Sequence, residues 1–366
     1  MMKKVLILAN NDVGLYKFRK ELVEELLKKY TVYISLPYGS FVDNLCDMGC
    51  KFIDTDIDRR GKNPFSDIKL YKKYRKIIKE VKPDVILTYT IKPNIYGALA
   101  SKGKIKVLSN ITGLGSAVEN PGIIQKITLT LYKLASKNMT TVFFQNEENK
   151  QFFINNNINV KNNVLIPGSG VNLNYYAPLE YPNEGTIEFV FISRVMREKG
   201  IDQYLDAAKY ITSKYPNTRF HICGFCEEEY ESILSDLQEK NIIKYHGLVE
   251  DVREVLKNVH CTVHPTYYPE GMSNVLLESC ASARPIITTN RSGCREIVDD
   301  GVNGFIVNQK DSKDLIEKIE EFINLGYLEK KQLGLNARKK VEKEFDRKIV
   351  INEYLKEINA TFIEKN

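Results

Sequence analysis

The chain has 366 residues, of which 43% are hydrophobic and 27% are charged, a composition typical of a soluble globular protein with about two domains. No apolar run approaches the roughly 18–20 residues of a membrane-spanning helix. The seven scattered cysteines, with Cys223 and Cys226 as an isolated pair, indicate neither a disulfide framework nor a zinc site. The first residues lack the small-residue cleavage site of a signal peptide, which predicts a cytoplasmic protein.

Charge is distributed unevenly along the chain. Residues 1–178 hold 27 Lys and Arg against 15 Asp and Glu, a net charge of +12, whereas residues 179–366 hold 26 against 32, a net charge of −6. A basic half joined to an acidic half suggests that the basic half meets an anionic surface. No recognition motif for nucleic acid accompanies the positive charge, so we expect no nucleic-acid partner.

The first half of the chain alternates between strand-like and helix-like segments. Apolar runs predict buried parallel strands at Lys4–Ala9, Thr31–Leu36, Lys51–Asp54, Val85–Tyr89, Val107–Asn110 and Thr141–Gln145. Helical spacing of apolar residues predicts helices at Leu15–Lys29, Asp67–Val81 and Ile123–Lys137. Strands separated by helices predict a doubly wound α/β domain, which we assign to residues 1–170.

The same alternation restarts after Gly168–Gly185, a segment rich in proline and glycine that predicts the interdomain linker. Strands are predicted at Glu188–Ile192, Arg219–Cys223, Ile242–Tyr245, Cys261–His264, Pro285–Thr288 and Phe305–Val307. Helices are predicted at Ile201–Ser213, Glu227–Lys240, Asp251–Asn258, Ser273–Ala283, Cys294–Val298, Asp314–Asn324, Leu328–Phe345 and Ile349–Phe362. We assign residues 171–345 to a second α/β domain and residues 346–366 to a final helix that packs back on the first domain.

Two polar loops come directly after predicted strands. Asn10–Gly14 follows the first strand, where Gly14 would let the backbone approach a phosphate or a sugar, although no G-x-G-x-x-G fingerprint is present. Ser193–Gly200 follows the first strand of the second half, and its Arg194 and Lys199 offer the cations that a departing diphosphate needs. A solvated basic loop is the alternative interpretation, but the carboxyl end of a strand is a typical ligand site.

The segment Pro269–Glu278 combines a loop carboxylate with the predicted start of a helix. Ser273 is predicted to cap that helix, so that its first amides and the helix dipole attract an anion. The carboxylates of Glu270 and Glu278 can accept hydrogen bonds from sugar and ribose hydroxyls. The residues of this segment that are predicted to line a single ligand are Glu270, Gly271, Met272, Ser273, Asn274 and Glu278. The alternative interpretation is that both glutamates are solvated surface residues without a ligand.

Together these segments resemble glycosyltransferase family 4, whose members have the GT-B fold of two Rossmann-like domains with an interdomain cleft. The resemblance covers nearly the whole chain and is most specific at Glu270–Glu278 and Arg194–Gly200, with support from Ile166–Asn172 and Gly293–Gly304. It implies that Arg194 and Lys199 bind the donor diphosphate, that Glu270 contacts the transferred sugar and that Glu278 holds the ribose. It also implies net retention at the anomeric carbon without a metal ion or other cofactor.

The carboxylates decide which mechanism is expected for these residues. A protein nucleophile would have to lie under the anomeric carbon, and Glu270 is the only evident candidate. Because the family uses that position for the sugar hydroxyls, we expect front-face departure of the diphosphate, stabilised by Arg194, Lys199 and the helix N-terminus. The leaving phosphate then takes the proton of the acceptor hydroxyl.

The acceptor is expected on the basic half. Asp67–Val81 and Ile123–Lys137 are basic amphipathic stretches, which are either core-facing helices with a solvated side or elements that dock on an anionic membrane. A polyprenyl-diphosphate-linked saccharide acceptor, as used by bacterial capsule and lipopolysaccharide enzymes of this family, would explain docking. The segments predicted to line the acceptor side are Tyr89–Asn94 and Asn110–Ser116. Within them the predicted acceptor residues are Lys92, Asn94, Thr112 and Gly113, with Thr112 where many members of the family have a histidine.

The prediction is therefore a retaining hexosyltransferase of bacterial surface polysaccharide synthesis, cytoplasmic and peripheral at the inner face of the membrane. Its expected donor is a UDP-linked hexose or N-acetylhexosamine. Two alternatives stay open at this point. A sugar-nucleotide epimerase or hydrolase on the same fold would turn over the nucleotide sugar without an acceptor, and a non-catalytic binding subunit would keep the fold alone.

Overall fold

The computed structural model describes residues 2–58 and 64–363. The chain divides into two compact units. Unit 1 comprises Met1–Ser169 with Lys348–Asn366, and unit 2 comprises Gly170–Arg347. Each unit has its own parallel sheet and its own hydrophobic core, so each is described by itself.

Unit 1 is built on a seven-stranded parallel sheet in the order β3-β2-β1-β4-β5-β6-β7. Its strands are β1 (Lys4–Leu8), β2 (Thr31–Leu36), β3 (Lys51–Asp54), β4 (Val85–Tyr89), β5 (Lys106–Ile111), β6 (Thr141–Phe144) and β7 (Asn162–Leu165). Its helices before the linker are α1 (Asp12–Leu27), α2 (Val42–Asp47), α3 (Pro64–Val81), α4 (Ile91–Ser101), α5 (Ser116–Glu119), α6 (Ile123–Ser136) and α7 (Glu147–Asn155). The central strands are buried on both faces, which explains their continuous apolar sequences.

Unit 2 repeats this plan with six parallel strands in the order β10-β9-β8-β11-β12-β13. The strands are β8 (Ile187–Ile192), β9 (Thr218–Cys223), β10 (Ile243–Tyr245), β11 (Cys261–His264), β12 (Ile286–Thr289) and β13 (Gly304–Val307). The helices are α8 (Ile201–Lys214), α9 (Glu231–Glu239), α10 (Arg253–Leu256), α11 (Asn274–Ala281), α12 (Ser312–Asn324) and α13 (Tyr327–Glu344). The strand order reverses between β8 and β11, and a doubly wound sheet binds its ligand beside such a switch point.

The last helix, α14 (Arg347–Ile363), packs in unit 1. Its apolar residues join the core that β1, β2 and α1 form on one face of the sheet, and the Tyr354 ring lies 4.2 Å from the ring of Phe143 on β6. Polar contacts fix the same helix, since Thr141 donates to the Glu357 carboxylate at 2.8 Å. The chain thus passes from unit 1 to unit 2 and returns.

The predicted linker Gly168–Gly185 is wrong for most of its length, because residues from Gly170 onward belong to unit 2. Val171 forms a parallel bridge with Asp346, and Tyr181 is buried with its hydroxyl donating to the His260 carbonyl at 3.1 Å. Proline and glycine mark irregular backbone here, but irregular backbone can still pack against a core. The predicted helix Cys294–Val298 is also corrected, to a 3₁₀ turn at Arg295–Ile297.

The sequence patterns also miss the helices α2, α4, α5 and α7 and the edge strand β7. In α4 the segment Ile91–Asn94 has the composition of a turn, yet Pro93 lies in the first helical turn, where its missing N–H costs nothing. Within the described parts of the chain, every helix falls short of the length and apolarity that crossing a membrane requires.

Candidate functional site

The best-formed candidate site lies at the switch point of unit 2, where the loops after β8 and β11 meet. Glu198 joins them, because its carbonyl accepts hydrogen bonds from the Tyr267 amide at 2.9 Å and the Thr266 hydroxyl at 3.3 Å. Gly200 has a φ of +81°, and a Cβ there would lie 2.1 Å from the Pro265 carbonyl oxygen. Only glycine therefore allows the two loops to approach this closely.

Lys199 and Glu270 form an ion pair in this junction. Both side chains are largely buried, with 9% of Lys199 and 16% of Glu270 exposed. The Lys199 ammonium also lies 4.6 Å from the centre of the Tyr268 ring, a cation–π distance. The predicted cation and the predicted loop carboxylate are thus brought together and held in one place.

Arg194 lies against the same aromatic ring. Its guanidinium carbon is 5.3 Å from the Tyr268 ring centre, a cation–π distance. It forms an ion pair with Glu227, which the loop after β9 positions by a bridge between Val195 and Cys226. Burial alone would lower the pKa of Arg194, but the Glu227 carboxylate and, to a smaller extent, Tyr268 together raise it. Tyr268 and Glu227 were not predicted, because their roles depend on contacts between loops.

His264, at the end of β11, is a further buried group near Lys199. It is 1% exposed, and neither ring nitrogen has a hydrogen-bond partner among the described residues. Burial, with a smaller contribution from the Lys199 charge, lowers the pKa of His264 to about 3. The imidazole is therefore neutral at physiological pH and adds no charge to the site.

The start of α11 differs in detail from the prediction. Ser273 is the N-cap residue, but its side chain makes no capping hydrogen bond, and its amide donates to the Gly293 carbonyl at 2.8 Å. The prediction that Ser273 caps the helix and offers a free amide is therefore wrong. Gly293, with a φ of +88°, approaches Gly271 so closely that a Cβ would lie 2.6 Å from its carbonyl oxygen. Met272 is buried in a core cluster of unit 2.

Asn274 and Glu278 lie on α11, one turn apart. The Asn274 side-chain oxygen is buried without a hydrogen-bond partner among the described residues. Burial, followed by the nearby Glu278 carboxylate, raises the pKa of Tyr176. Tyr176 lies in the segment that sequence patterns identify as linker, which is why it was not predicted as a site residue.

In unit 1 the predicted Gly14 lies inside the first turn of α1 instead of in a loop. The helix begins at Asp12, because the Asn11 side chain caps it by accepting the Gly14 amide at 2.6 Å. Asp12 is buried and accepts the Phe41 amide at 2.7 Å. The Gly14 amide is thus already bonded, so the structure does not favour the predicted backbone contact with a ligand.

The predicted acceptor residues follow β4 and β5 of unit 1. Lys92, in the first turn of α4, forms an ion pair with Asp67 at 2.8 Å. Asn94 is 1% exposed, and its amide accepts from Thr88 at 2.7 Å and donates to the Asn110 carbonyl at 2.9 Å. Asn94 therefore links β4, α4 and β5 and is corrected from acceptor contact to structural residue.

Thr112 and Gly113 are half-buried in the loop after β5, and Gly113 has a φ of +127°. Thr90, in the predicted acceptor segment Tyr89–Asn94, has a φ of +74° at the end of β4 and a buried hydroxyl without a partner among the described residues. Such a backbone conformation is costly for a β-branched residue.

No metal site is evident among the described residues, because they contain no group of three or more His, Cys, Asp or Glu side chains that could hold a metal ion.

Comparison with known proteins gives two family matches. The family model "Glycosyl transferase 4-like" matches residues 4–146, and the model "Glycosyl transferases group 1" matches residues 180–340. The chain is 27% identical to the N,N'-diacetylbacillosaminyl-diphospho-undecaprenol alpha-1,3-N-acetylgalactosaminyltransferase of Campylobacter jejuni, with 95% of this chain and 96% of that protein covered. It is 28% identical to the capsular polysaccharide biosynthesis glycosyltransferase CapM of Staphylococcus aureus, with 82% and 83% covered.

Among solved structures, Anabaena HepE in complex with UDP superposes with a TM-score of 0.78 at 17% identity, covering 98% of this chain and all of that one. At that identity the likeness concerns the fold, and it confirms the predicted two-domain α/β architecture. The chain therefore belongs to the glycosyltransferases of the GT-B fold, with a glycosyl transferase 4-like domain in unit 1 and a glycosyl transferases group 1 domain in unit 2.

Proposed function

We propose that this glycosyltransferase transfers a hexose or N-acetylhexosamine, with retention, from a UDP-sugar to a polyprenyl-diphosphate-linked saccharide in bacterial surface polysaccharide synthesis. The observation that carries the proposal is the pair of cations, Arg194 and Lys199, that both lie against the Tyr268 ring at the switch point of unit 2. Two fixed cations beside a helix start suit a diphosphate. The UDP bound to HepE and the undecaprenol-linked substrate in the name of the Campylobacter enzyme support the donor and the acceptor classes.

In this proposal Arg194 and Lys199 bind the donor diphosphate, Glu270 accepts hydrogen bonds from the transferred sugar and Glu278 holds the ribose. The C1–O bond to the diphosphate breaks while the acceptor hydroxyl attacks C1 on the same face. The β-phosphate oxygen takes the proton of that hydroxyl, so the products are UDP and the glycosylated acceptor. The two cations supply the charge stabilisation that a metal ion supplies elsewhere, and we propose a metal-independent reaction.

Lys92, Thr112 and Gly113 remain the proposed acceptor-side residues of unit 1, together with Thr90 of the same predicted segment. Unit 1 includes most of the basic half of the chain, and we propose that the enzyme acts in the cytoplasm, peripheral at the inner face of the membrane. The alternative of an epimerase or hydrolase is not favoured by any side chain described here.

The test begins with thermal unfolding in a panel of nucleotides and UDP-sugars, with EDTA present. A ligand at about 100 times its dissociation constant stabilises the folded state by roughly 2.7 kcal/mol. We expect UDP and one UDP-sugar to raise the melting temperature of the wild type but not of Arg194→Ala. Transfer to an undecaprenyl-diphosphate-linked saccharide, followed by NMR of the new anomeric centre, then tests acceptor and stereochemistry. Inversion, or a requirement for a divalent metal, would contradict the proposal.

A further inference from the structure

The helix α6 of unit 1 has an apolar face that the protein leaves open to solvent. Ile123, Ile127 and Leu134 are 77%, 55% and 49% exposed, and all three lie on one stripe because they are about one and three turns apart. The opposite face holds the helix to the unit through Tyr132 and Ala135, which are buried in the core. Large aliphatic side chains grouped in this way on a soluble surface mark an interaction site.

The polar groups of the stripe suit an apolar environment. Thr130 lies between Ile127 and Leu134, and its hydroxyl donates to the Lys126 carbonyl of the preceding turn at 2.8 Å. Hydroxyls that are satisfied within the helix can leave water without losing a hydrogen bond.

The charges beside the stripe indicate what covers it. Lys126, Lys133 and Lys137 are exposed and form a row parallel to the stripe. No carboxylate of the described residues pairs with them, and residues 120–146 include neither Asp nor Glu. A second copy would bring the same positive charge to the contact, whereas an anionic surface complements it.

We infer that the α6 stripe inserts into the headgroup region of an anionic lipid bilayer, with the lysine row on the lipid phosphates. This inference rests on the proposed function, in which the acceptor is anchored in a membrane. The inferred contact is more than electrostatic docking, because an interfacial helix binds a bilayer both by burying apolar area and by attraction to anionic lipids. The lipid surface, and not a soluble phosphate, is the partner because a soluble phosphate offers no apolar environment to the aliphatic side chains.

The test is co-sedimentation of the full chain with vesicles of phosphatidylcholine, with and without phosphatidylglycerol. We expect Ile123→Ser with Ile127→Ser to lower the partition coefficient on the mixed vesicles by roughly tenfold or more. Replacing the three lysines by glutamine should lower it by about a hundredfold at low salt and abolish the preference for the anionic lipid. The matched control is Ile233→Ser with Leu328→Ser, two exposed aliphatic residues of unit 2 that should leave binding unchanged.

Two results would overturn the inference. If the double isoleucine variant sediments like the wild type, the stripe does not enter lipid and docking is electrostatic alone. If the wild type stays in solution and light scattering shows a dimer that the isoleucine variant loses, a second copy covers the stripe. The UDP-induced thermal shift, measured on every variant, reports folding and tests the proposed donor separately. If the protein sediments with vesicles but does not bind UDP, the proposed donor is refuted. If the protein transfers sugar from a UDP-sugar to a detergent-dispersed acceptor but does not sediment with vesicles, the inferred contact with the lipid surface is refuted.

Discussion

Arg194 and Lys199 are each paired with a carboxylate, but the two pairs have different consequences for a donor. Glu270 is itself a proposed ligand of the sugar, so its contact with Lys199 keeps two binding groups together. Glu227 has no proposed role toward the donor and competes with the diphosphate for Arg194. Under the proposed function, the Lys199–Glu270 pair therefore organises one half of the site, whereas the Arg194–Glu227 pair opposes donor binding in the other half.

Glu227→Gln should tighten the binding of UDP. The change removes the charge that competes for Arg194 while keeping a side chain of similar size and hydrogen-bonding capacity, and a charge-assisted pair contributes about 1–2 kcal/mol. We expect the dissociation constant of UDP to fall by roughly 5- to 30-fold in calorimetric titration. Glu228→Gln, in the same loop, is the control and should bind UDP like the wild type. Weaker binding by Glu227→Gln would show that Glu227 positions Arg194 for the donor.

His264 should make the protein sensitive to acid. Its pKa is about 6.5 in the unfolded chain and about 3 in the folded protein, so neither state is protonated above pH 6.5 and the residue then has no effect on stability. As the pH falls below 6.5 only the unfolded state takes up the proton, and stability decreases until about pH 3. At pH 5 the loss is about 2 kcal/mol.

His264→Leu keeps the volume of the side chain and removes this titration. We expect urea unfolding to show a smaller loss of stability between pH 7.5 and pH 5 for the variant than for the wild type, by about 2 kcal/mol. Circular dichroism is the suitable signal, since the chain has no tryptophan. An equal loss of stability in both proteins would mean that water or a neighbouring polar group stabilises protonated His264 in the folded state.

Among the elements, several strands are predicted with the bounds that the structure shows, and these include the edge strand Lys51–Asp54. Val85–Tyr89 and Cys261–His264 are predicted with the bounds that the structure shows, because strands buried on both faces have continuous apolar sequences. The loops that follow them are predicted as sites because a parallel sheet collects ligands at that edge. The partners within those loops are not predictable: Glu227 and Tyr268 meet Arg194 only through the packing of three loops, and no spacing along the chain encodes that contact.

Gly200 determines whether the loops after β8 and β11 can meet. Gly200→Ala adds a methyl group 2.1 Å from the Pro265 carbonyl at a φ of +81°, so backbone strain and a clash combine. Gly247→Ala, at a φ of +66° with no atom within 4 Å of the new Cβ, has the strain alone and is the matched control. We expect about 1 kcal/mol of destabilisation from the control and more than twice that from Gly200→Ala, together with loss of the UDP-induced thermal shift. Equal effects would show that the loops can separate without cost.

At the scale of the whole molecule, the chain contributes its two ends to one unit and its middle to the other. The core of unit 1 is complete only with Val350, Tyr354 and Ile358 of α14. The core of unit 2 is formed by residues of the middle segment alone, including Ile319 of α12. A substitution near the end of the chain should therefore weaken the unit that begins the chain.

Ile358→Ala and Ile319→Ala test this division, since both side chains are fully buried, each in the core of one unit. Each variant should lose about 2–5 kcal/mol from the unit in which it lies. UDP stabilises only the unit that binds it, by roughly 2.7 kcal/mol at 100 times the dissociation constant. Scanning calorimetry of Ile358→Ala should therefore show an early transition that UDP does not move and a later one that it raises. In Ile319→Ala the transition that UDP moves should be the weakened one. If UDP instead raises the early transition of Ile358→Ala, the donor binds to unit 1, and the assignment of Arg194 and Lys199 to the diphosphate is wrong.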